Sequence, residues 1–152
     1  MITLKRTNSE DKDFHELVEK LNQDLQDRYG ALQDYYSRFN AIKDLPTVVI
    51  AYNDGQPVGC GCFKKFDDAS VEVKRMYVDN MQRGKGIGAA ILEELEKWAG
   101  ELMVGTIVLE TGTSQPEAIH LYEKMGYTLI PNYGQYSGME TSICMMKEIN
   151  RS

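Results

Sequence analysis

The hydrophobic positions of this chain follow two different spacings, and each spacing predicts a different secondary structure. Phe14, Leu17 and Leu21 recur every three or four residues, which is typical of the buried face of an α-helix. The run from Thr47 to Tyr52 is instead nearly continuous and β-branched, which favours a strand. Helices and strands are therefore both expected in one chain.

Applied to the whole chain, these patterns predict the element order β-α-α-β-β-β-α-β-α-β-β. The second helix of this series depends on four apolar residues that share one helical face: Leu32, Tyr35, Tyr36 and Phe39. Antiparallel hairpins come first, and one β-loop-α-β unit follows them. The expected fold is therefore an α/β fold with a mixed, mostly antiparallel sheet, and not a doubly wound one.

Turn and cap residues mark where several of these elements end. The sequence Asn-Asp-Gly at 53–55 separates two strand-like runs and predicts a tight hairpin, because these residues tolerate left-handed backbone conformations. Asn8 or Ser9 can cap the first helix, and Gly30 can end it. The sequence Ser-Gln-Pro-Glu at 114–117 resembles a capping box and predicts the start of a late helix.

Composition narrows the class of protein. The 152 residues suit a single domain spanning 1–152, with 42% hydrophobic and 26% charged residues. A net charge of −6 argues against a nucleic-acid partner, which would require a basic surface. No apolar run approaches the roughly 18 residues of a membrane span, and the N-terminus is too charged for a secretory signal. The odd set Cys60, Cys62 and Cys144 favours a reducing cytoplasm.

The stretch from Met81 to Gly88, MQRGKGIG, carries three glycines and two cations between a predicted strand and a predicted helix. The first backbone N–H groups of a helix have no partner within it, and glycines allow a ligand to approach them closely. The stretch therefore predicts an anion site, most simply for phosphate. A flexible turn with solvated cations is the alternative. Neither the P-loop pattern nor the dinucleotide fingerprint GxGxxG is present, which disfavours nicotinamide and flavin enzymes.

The same residues resemble the acetyl-CoA signature of the GNAT superfamily of N-acetyltransferases, [QR]xxGx[GA]. Arg83, Gly86 and Gly88 fill its three named positions. The stretch LETGTSQPEAIHLYEKMGY, residues 109–127, is similar to a later family segment with an Ala, a Leu-Tyr pair and a Gly-Tyr or Gly-Phe pair. The resemblance covers about residues 1–149 and is specific over about 71–127. The predicted strand order also matches the family.

The resemblance implies a fold and a binding mode for acetyl-CoA as co-substrate. A central pair of parallel strands would splay into a V-shaped cleft. The pyrophosphate would bind the loop amides, and the pantetheine arm would pair with the preceding strand. Many family members have an Asn before the late helix where this chain has Gln115, whose amide would reach further. The residues implied in cofactor binding are Met76, Tyr77, Val78, Arg83, Gly84, Lys85, Gly86, Ile87, Gly88 and Gln115.

Two residues are the candidates for proton transfer. Tyr122 matches the tyrosine that family members place near the departing sulfur, although helical spacing alone would assign it to the core. Glu72, eleven residues before Arg83, resembles the catalytic Glu of histone-type members; the alternative is a solvated strand glutamate beside Lys74. Glu110, at the end of the next strand, and a chain of waters are the competing bases.

The acetyl acceptor is less well defined. A primary amine of a small molecule or a peptide is expected, and no metal site is predicted from the cysteines or from the outward-facing His15 and His120. A homodimer is left open. The main alternative is a non-catalytic acyl-CoA-binding regulatory module, and a third hypothesis is a phosphate site for another nucleotide. Aromatic residues suited to a cationic amine lie in the first two helices and the loop 131–138, with acidic residues nearby: Tyr29, Tyr35, Tyr36, Tyr133 and Tyr136, and Asp27, Asp34 and Asp44.

Overall fold

The computed structural model describes residues 1–30 and 44–149. The second predicted helix, with the tyrosines expected on it, lies outside the described residues. Two compact units are formed by interleaved parts of the chain. The first comprises Met1–Lys64 and Lys74–Leu95, and the second comprises Lys65–Val73 and Glu96–Ser152.

The described elements follow the predicted order. Within the described residues the sheet has seven strands in the order β1-β2-β3-β4-β5-β7-β6, and β4 and β5 are its parallel pair. The α/β fold class with a mixed sheet is therefore confirmed. The strands are β1 Ile2–Thr7, β2 Thr47–Asn53, β3 Gln56–Lys65, β4 Ser70–Val78, β5 Thr106–Gly112, β6 Thr128–Ile130 and β7 Ser142–Glu148; the helices are α1 Lys12–Tyr29, α2 Ile87–Glu101 and α3 Pro116–Lys124, with short 3₁₀ turns at Asn80–Gln82 and Gly134–Tyr136.

The first unit buries the apolar face of α1 against β2 and β3, as the spacing predicts. The first helix is capped by Asp11, whose carboxylate accepts a hydrogen bond from the backbone of Asp13 at 2.9 Å. The prediction of Asn8 or Ser9 as the cap is wrong; the Ser9 hydroxyl instead accepts from the backbone N–H of Leu45 at 2.9 Å. Gly30 does end the helix, with a φ of 57°.

Two glycines of β3 set the position of helix α2 within the first unit. A Cβ at Gly61 would lie 2.5 Å from the sulfur of Met76 and 3.0 Å from side-chain atoms of Ile91 and Leu95. A Cβ at Gly59 would lie 2.9 Å from the Tyr77 carbonyl oxygen. The distances of 2.5 Å and 2.9 Å, both to residues of β4, are too short for a real Cβ, and the 3.0 Å distances to α2 are tighter than nearly all real contacts. Both β4 and α2 can therefore lie this close to β3 only because side chains are absent there.

The second unit is built around β5. Its first four residues pair in parallel with Ser70–Val73 of β4, and its whole length pairs antiparallel with β7. The following helix, α3, ends through Gly126, which has a φ of 97° and permits a backbone bond of 2.9 Å from Tyr127 to the Tyr122 carbonyl. The Tyr127 hydroxyl donates to Glu96 at 2.9 Å, and Lys147 also contacts that carboxylate.

Candidate functional site

The glycine loop begins with two left-handed residues in open surroundings. Gly84 and Gly86 have φ values of 83° and 78°, which side-chain-bearing residues rarely adopt. A Cβ built on either glycine would meet no atom within 4 Å among the described residues. The glycines are therefore required by backbone conformation, and the space in front of them is available to a ligand.

The backbone N–H groups from Gly84 onwards in this loop have no acceptor among the described residues. Helix α2 makes its first bond from the Ala90 N–H to the Gly86 carbonyl, at 3.0 Å. Within residues 1–30 and 44–149, no backbone N–H from Gly84 to Ala89 donates to another protein group. These donors point from the positive end of a helix dipole, which is the arrangement that binds phosphate. The loop therefore fits the pyrophosphate group that the sequence predicts.

The two cations of the loop have different surroundings. The Arg83 Nε donates to the Val78 carbonyl at 3.0 Å, and its Nη2 lies 3.8 Å from the Asp24 carboxylate. Arg83 therefore fastens the loop to the end of β4. Lys85 is exposed, and its Nζ donates to the side chain of Gln82 at 3.2 Å. Of the two cations of the loop, Lys85 is therefore the one with an exposed side chain.

The strand that precedes the loop contains a feature that the sequence does not predict. Arg75, in the interior of β4, has a φ of 58°. A left-handed non-glycine residue costs about 1–2 kcal/mol and changes the direction of the backbone groups that follow it. The three residues Met76–Val78 come next, and the parallel ladder to β5 ends before them at Val73. Their backbone groups are not used in that ladder.

Glu72 lies in the second unit and is almost fully buried, with 3% of its surface exposed. One carboxylate oxygen, Oε2, accepts a hydrogen bond of 2.7 Å from the hydroxyl of Tyr133. The alternative of a solvated strand glutamate is therefore wrong, because central strands of a sheet bury both faces. Tyr133 is 61 residues from Glu72 in the sequence, and the sequence predicts it only as a contact of the acetyl acceptor, not as a partner of Glu72.

Tyr122 also lies in the second unit, and 5% of its surface is exposed. Its ring packs edge-on against Tyr127 at a centroid distance of 5.9 Å. No described residue hydrogen-bonds its hydroxyl, which is uncommon for a buried phenol. Burial, and then the charge of Glu110, raise the pKa of Tyr122 above its usual range, so the phenol stays protonated at neutral pH.

Glu110 shares its surroundings with Glu72. It pairs across β5 and β7 with Cys144, and its charge acts on the same groups as that of Glu72, namely Tyr136 and Cys144. Burial is the main reason that the pKa of the Cys144 thiol rises to about 11. That thiol is protonated at neutral pH and is a poor nucleophile. The second unit therefore gathers both candidate bases and the candidate acid.

The remaining predicted residues are also placed. Gln115 is the N-cap of α3, and its side-chain oxygen accepts from the backbone N–H of Gly112 at 3.2 Å. The thiols of Cys60 and Cys62 are buried and donate to strand carbonyls. His15 and His120 are exposed, as predicted.

Grouped metal ligands and membrane-spanning helices are both absent from the described part of the chain. No three His, Cys, Asp or Glu side chains there are grouped as metal ligands would be. Among residues 1–30 and 44–149, no helix is long and apolar enough to cross a membrane.

Comparison with known proteins agrees with this fold and loop. The model of the acetyltransferase (GNAT) family matches residues 12–127. An IAA acetyltransferase from Azospirillum brasilense is 32% identical over 142 residues, which are 88% of this chain and 89% of that protein. The chain therefore belongs to the GNAT family of acetyltransferases. The prediction of an acetyltransferase that uses acetyl-CoA is confirmed at the level of the family.

Solved structures share the fold over nearly the whole chain. A structure described as an acyl-CoA N-acyltransferase, from Klebsiella pneumoniae, superposes with a TM-score of 0.82 and 27% identity, covering 99% of each chain. The PaiA N-acetyltransferase of Thermoplasma acidophilum, solved in complex with coenzyme A, has a TM-score of 0.75 and 17% identity, covering 97% of this chain and 99% of its own. The second similarity concerns the fold alone.

Proposed function

We propose that this protein transfers the acetyl group of acetyl-CoA to a primary amine of a small molecule or peptide, by direct attack in a ternary complex. One observation carries the choice of an amine acceptor. A nearly fully buried carboxylate, that of Glu72, accepts a hydrogen bond from a tyrosine hydroxyl in the same unit as Tyr122, whose own hydroxyl no described residue bonds. Acyl transfer to an amine needs a proton acceptor and a proton donor, and the candidates for both roles in this unit support an amine acceptor.

The donor is proposed to bind to the first unit. The unused N–H groups of Gly84 to Ala89 and the exposed Lys85 support a diphosphate site at the start of α2. The backbone of Met76–Val78, after the left-handed Arg75, supports pairing with the amides of the pantetheine arm. Arg83 is assigned to holding the loop in place. Gln115 is retained as a contact of the cofactor, although its side chain already accepts one backbone hydrogen bond.

The proton movements follow from the chemistry of the acceptor. A lysine-like amine has a pKa of about 10.4, so its neutral form at pH 7 costs roughly 4–5 kcal/mol. Glu72 accepts a proton from the ammonium group, which frees the nitrogen lone pair to attack the thioester carbonyl and form the C–N bond. Tyr122 gives its phenolic proton to the sulfur as the C–S bond breaks. The nitrogen then loses its second proton, which passes through solvent to Tyr122, and Glu72 releases its own proton to solvent before the next turnover.

The proposal also covers the domain organisation of the chain, its location in the cell and the side that binds the acceptor. A single acetyltransferase domain over 1–152 is supported by a family match whose residues, 12–127, include parts of both compact units. A reducing, cytoplasmic location is supported by three buried cysteines with free thiols. The acceptor side is assigned to the loop that carries Tyr133 and Tyr136, whose rings contact each other at 5.7 Å.

The test is a thiol-release assay with acetyl-CoA over a panel of amines, to which IAA is added because of the relative's name. Wild type should release thiol with at least one amine, and Glu72→Gln should lose most of that activity. Glu110→Gln is the matched variant, because Glu110 acts on the same neighbours. Selective loss in Glu110→Gln would transfer the role of base to Glu110. Binding of acetyl-CoA without turnover on any amine would instead support a non-catalytic module.

A further inference from the structure

The loop between β6 and β7 is closed by its own hydrogen bonds. The side-chain nitrogen of Asn132 donates to two carbonyls on the far side of the loop, those of Met139 and Ser142, both at 3.0 Å. The backbone N–H of Tyr136 donates to the Tyr133 carbonyl at 2.9 Å and forms a 3₁₀ turn. These bonds fix the backbone of Tyr133 without any contribution from its side chain.

The ring of Tyr133 is held from two sides. Phe66 contacts it edge-on at a centroid distance of 4.9 Å, and Tyr136 does so at 5.7 Å. Edge-on pairs of this kind are favourable beyond the area that they bury. The hydroxyl at the end of the fixed ring donates to Glu72 at 2.7 Å. The direction of this hydrogen bond is therefore set by the loop and the two neighbouring rings.

We propose that Tyr133 is a positioning residue for acetyl transfer, which holds the Glu72 carboxylate in the orientation that receives the proton of the amine. The inference rests on the proposed function, because it needs Glu72 as the base. A glutamate side chain has three rotatable bonds, and a group that transfers protons is effective only when its geometry is fixed. A short O–H···O⁻ bond to a charged group is among the stronger hydrogen bonds in proteins.

Burial and the neighbouring Glu72 carboxylate raise the pKa of Tyr133 well above its usual range. The phenol therefore remains a hydrogen-bond donor throughout the neutral range and does not compete for the proton. This separates its role from that of Tyr122, whose hydroxyl has no partner among the described residues.

The experiment is a double-mutant cycle on turnover. Tyr133→Phe keeps the ring and removes the hydroxyl, so kcat should fall by about tenfold while KM for acetyl-CoA stays within about twofold. In a Glu72→Gln background, the same substitution should have little further effect, because the carboxylate that it positions is gone. Tyr127→Phe is the matched control, since it also removes a buried hydroxyl that bonds a carboxylate, and it should leave kcat unchanged.

A second variant covers the case in which Tyr133→Phe folds poorly. Phe66 is 42% exposed, so Phe66→Ala should be tolerated while it loosens the ring of Tyr133. It should lower kcat in wild type and have little effect in Glu72→Gln. An unchanged kcat in both single variants, or losses that multiply fully with that of Glu72→Gln, would overturn the positioning role. Failure of wild type on every amine would instead refute the proposed function itself, and the positioning role with it.

Discussion

Tyr122 and Tyr127 provide a comparison of two adjacent phenols that should respond in opposite ways to the same substitution. Their rings are 5.9 Å apart and both residues are buried. The Tyr127 hydroxyl donates to the carboxylate of Glu96 at 2.9 Å, whereas no described residue bonds the Tyr122 hydroxyl. Each is changed to Phe, which removes one oxygen and keeps the ring.

The expected magnitudes follow from these contacts. A buried hydroxyl without a partner costs about 1–3 kcal/mol, so Tyr122→Phe should leave stability unchanged or raise it within that range. A hydrogen bond to a charged group contributes about 1.5–3 kcal/mol, so Tyr127→Phe should lower stability by about that amount. For a chain of this size, each kcal/mol shifts Tm by roughly 2–4 °C.

The order of the two variants should be reversed for kcat, with the larger loss in Tyr122→Phe. If Tyr122 protonates the departing sulfur, Tyr122→Phe should lower kcat by about 10²–10⁴-fold, which corresponds to about 2.7–5.4 kcal/mol of activation free energy. Tyr127→Phe should retain the kcat of wild type. Thermal melts and thiol release, measured on the same preparations, give both quantities. A fully active and stable Tyr122→Phe would return Tyr122 to the hydrophobic core and refute its role as the acid.

Three further predictions concern the loop, the base and alkaline stability. Gly86→Glu should weaken acetyl-CoA binding at least tenfold, about 1.4 kcal/mol by calorimetry. The control, Gly86→Ala, carries the same positive-φ strain without the charge and should weaken binding by less than about threefold. Equal losses of affinity in the two variants would contradict an anion site. Glu72→Gln should lose the decrease of kcat/KM on the acid side of the pH profile, and it should regain part of its rate at high pH, where more of the amine is already neutral. A pH profile that superimposes on that of wild type would exclude Glu72 as the base. The folded-state pKa is raised for four buried tyrosines, Tyr122, Tyr127, Tyr133 and Tyr136. The contribution of each tyrosine to the free energy of unfolding is therefore complete below the unfolded pKa of about 10 and falls above it by up to about 1.4 kcal/mol per pH unit. A melting temperature that does not change between about pH 9 and 11 would contradict this prediction.

Local features of the fold could be predicted from the sequence because each depends on neighbouring residues. The hairpin at 53–55 has positive φ at Asp54 and Gly55, as its residue types indicate. The glycines before α2 likewise have the backbone that an anion loop requires. The cap of α1 was predicted less well, because Asn8, Ser9 and Asp11 are all suitable residue types and only the folded chain selects among them.

The features that could not be predicted depend on distant residues or on strain. Tyr133 and Glu72 are 61 residues apart, and their hydrogen bond requires the closed loop between β6 and β7. The left-handed Arg75 has no sequence signal, because arginine rarely adopts that conformation and the surrounding strand must impose it. Arg83 was expected to face phosphate, and its bond to the Val78 carbonyl becomes visible only once the loop is folded.

The two glycines of β3 have a consequence for how variation is tolerated along this chain. Their missing side chains decide how closely α2 approaches the strand, and α2 carries the unused N–H groups at its first turn. A deep mutational scan selected for retention of acetyl-CoA should therefore show Gly59 and Gly61 to be as intolerant as the loop itself. The affinity for acetyl-CoA therefore depends on a strand that does not itself belong to the glycine loop. A mutant library designed to change the acetyl acceptor should leave the codons of these two glycines unchanged.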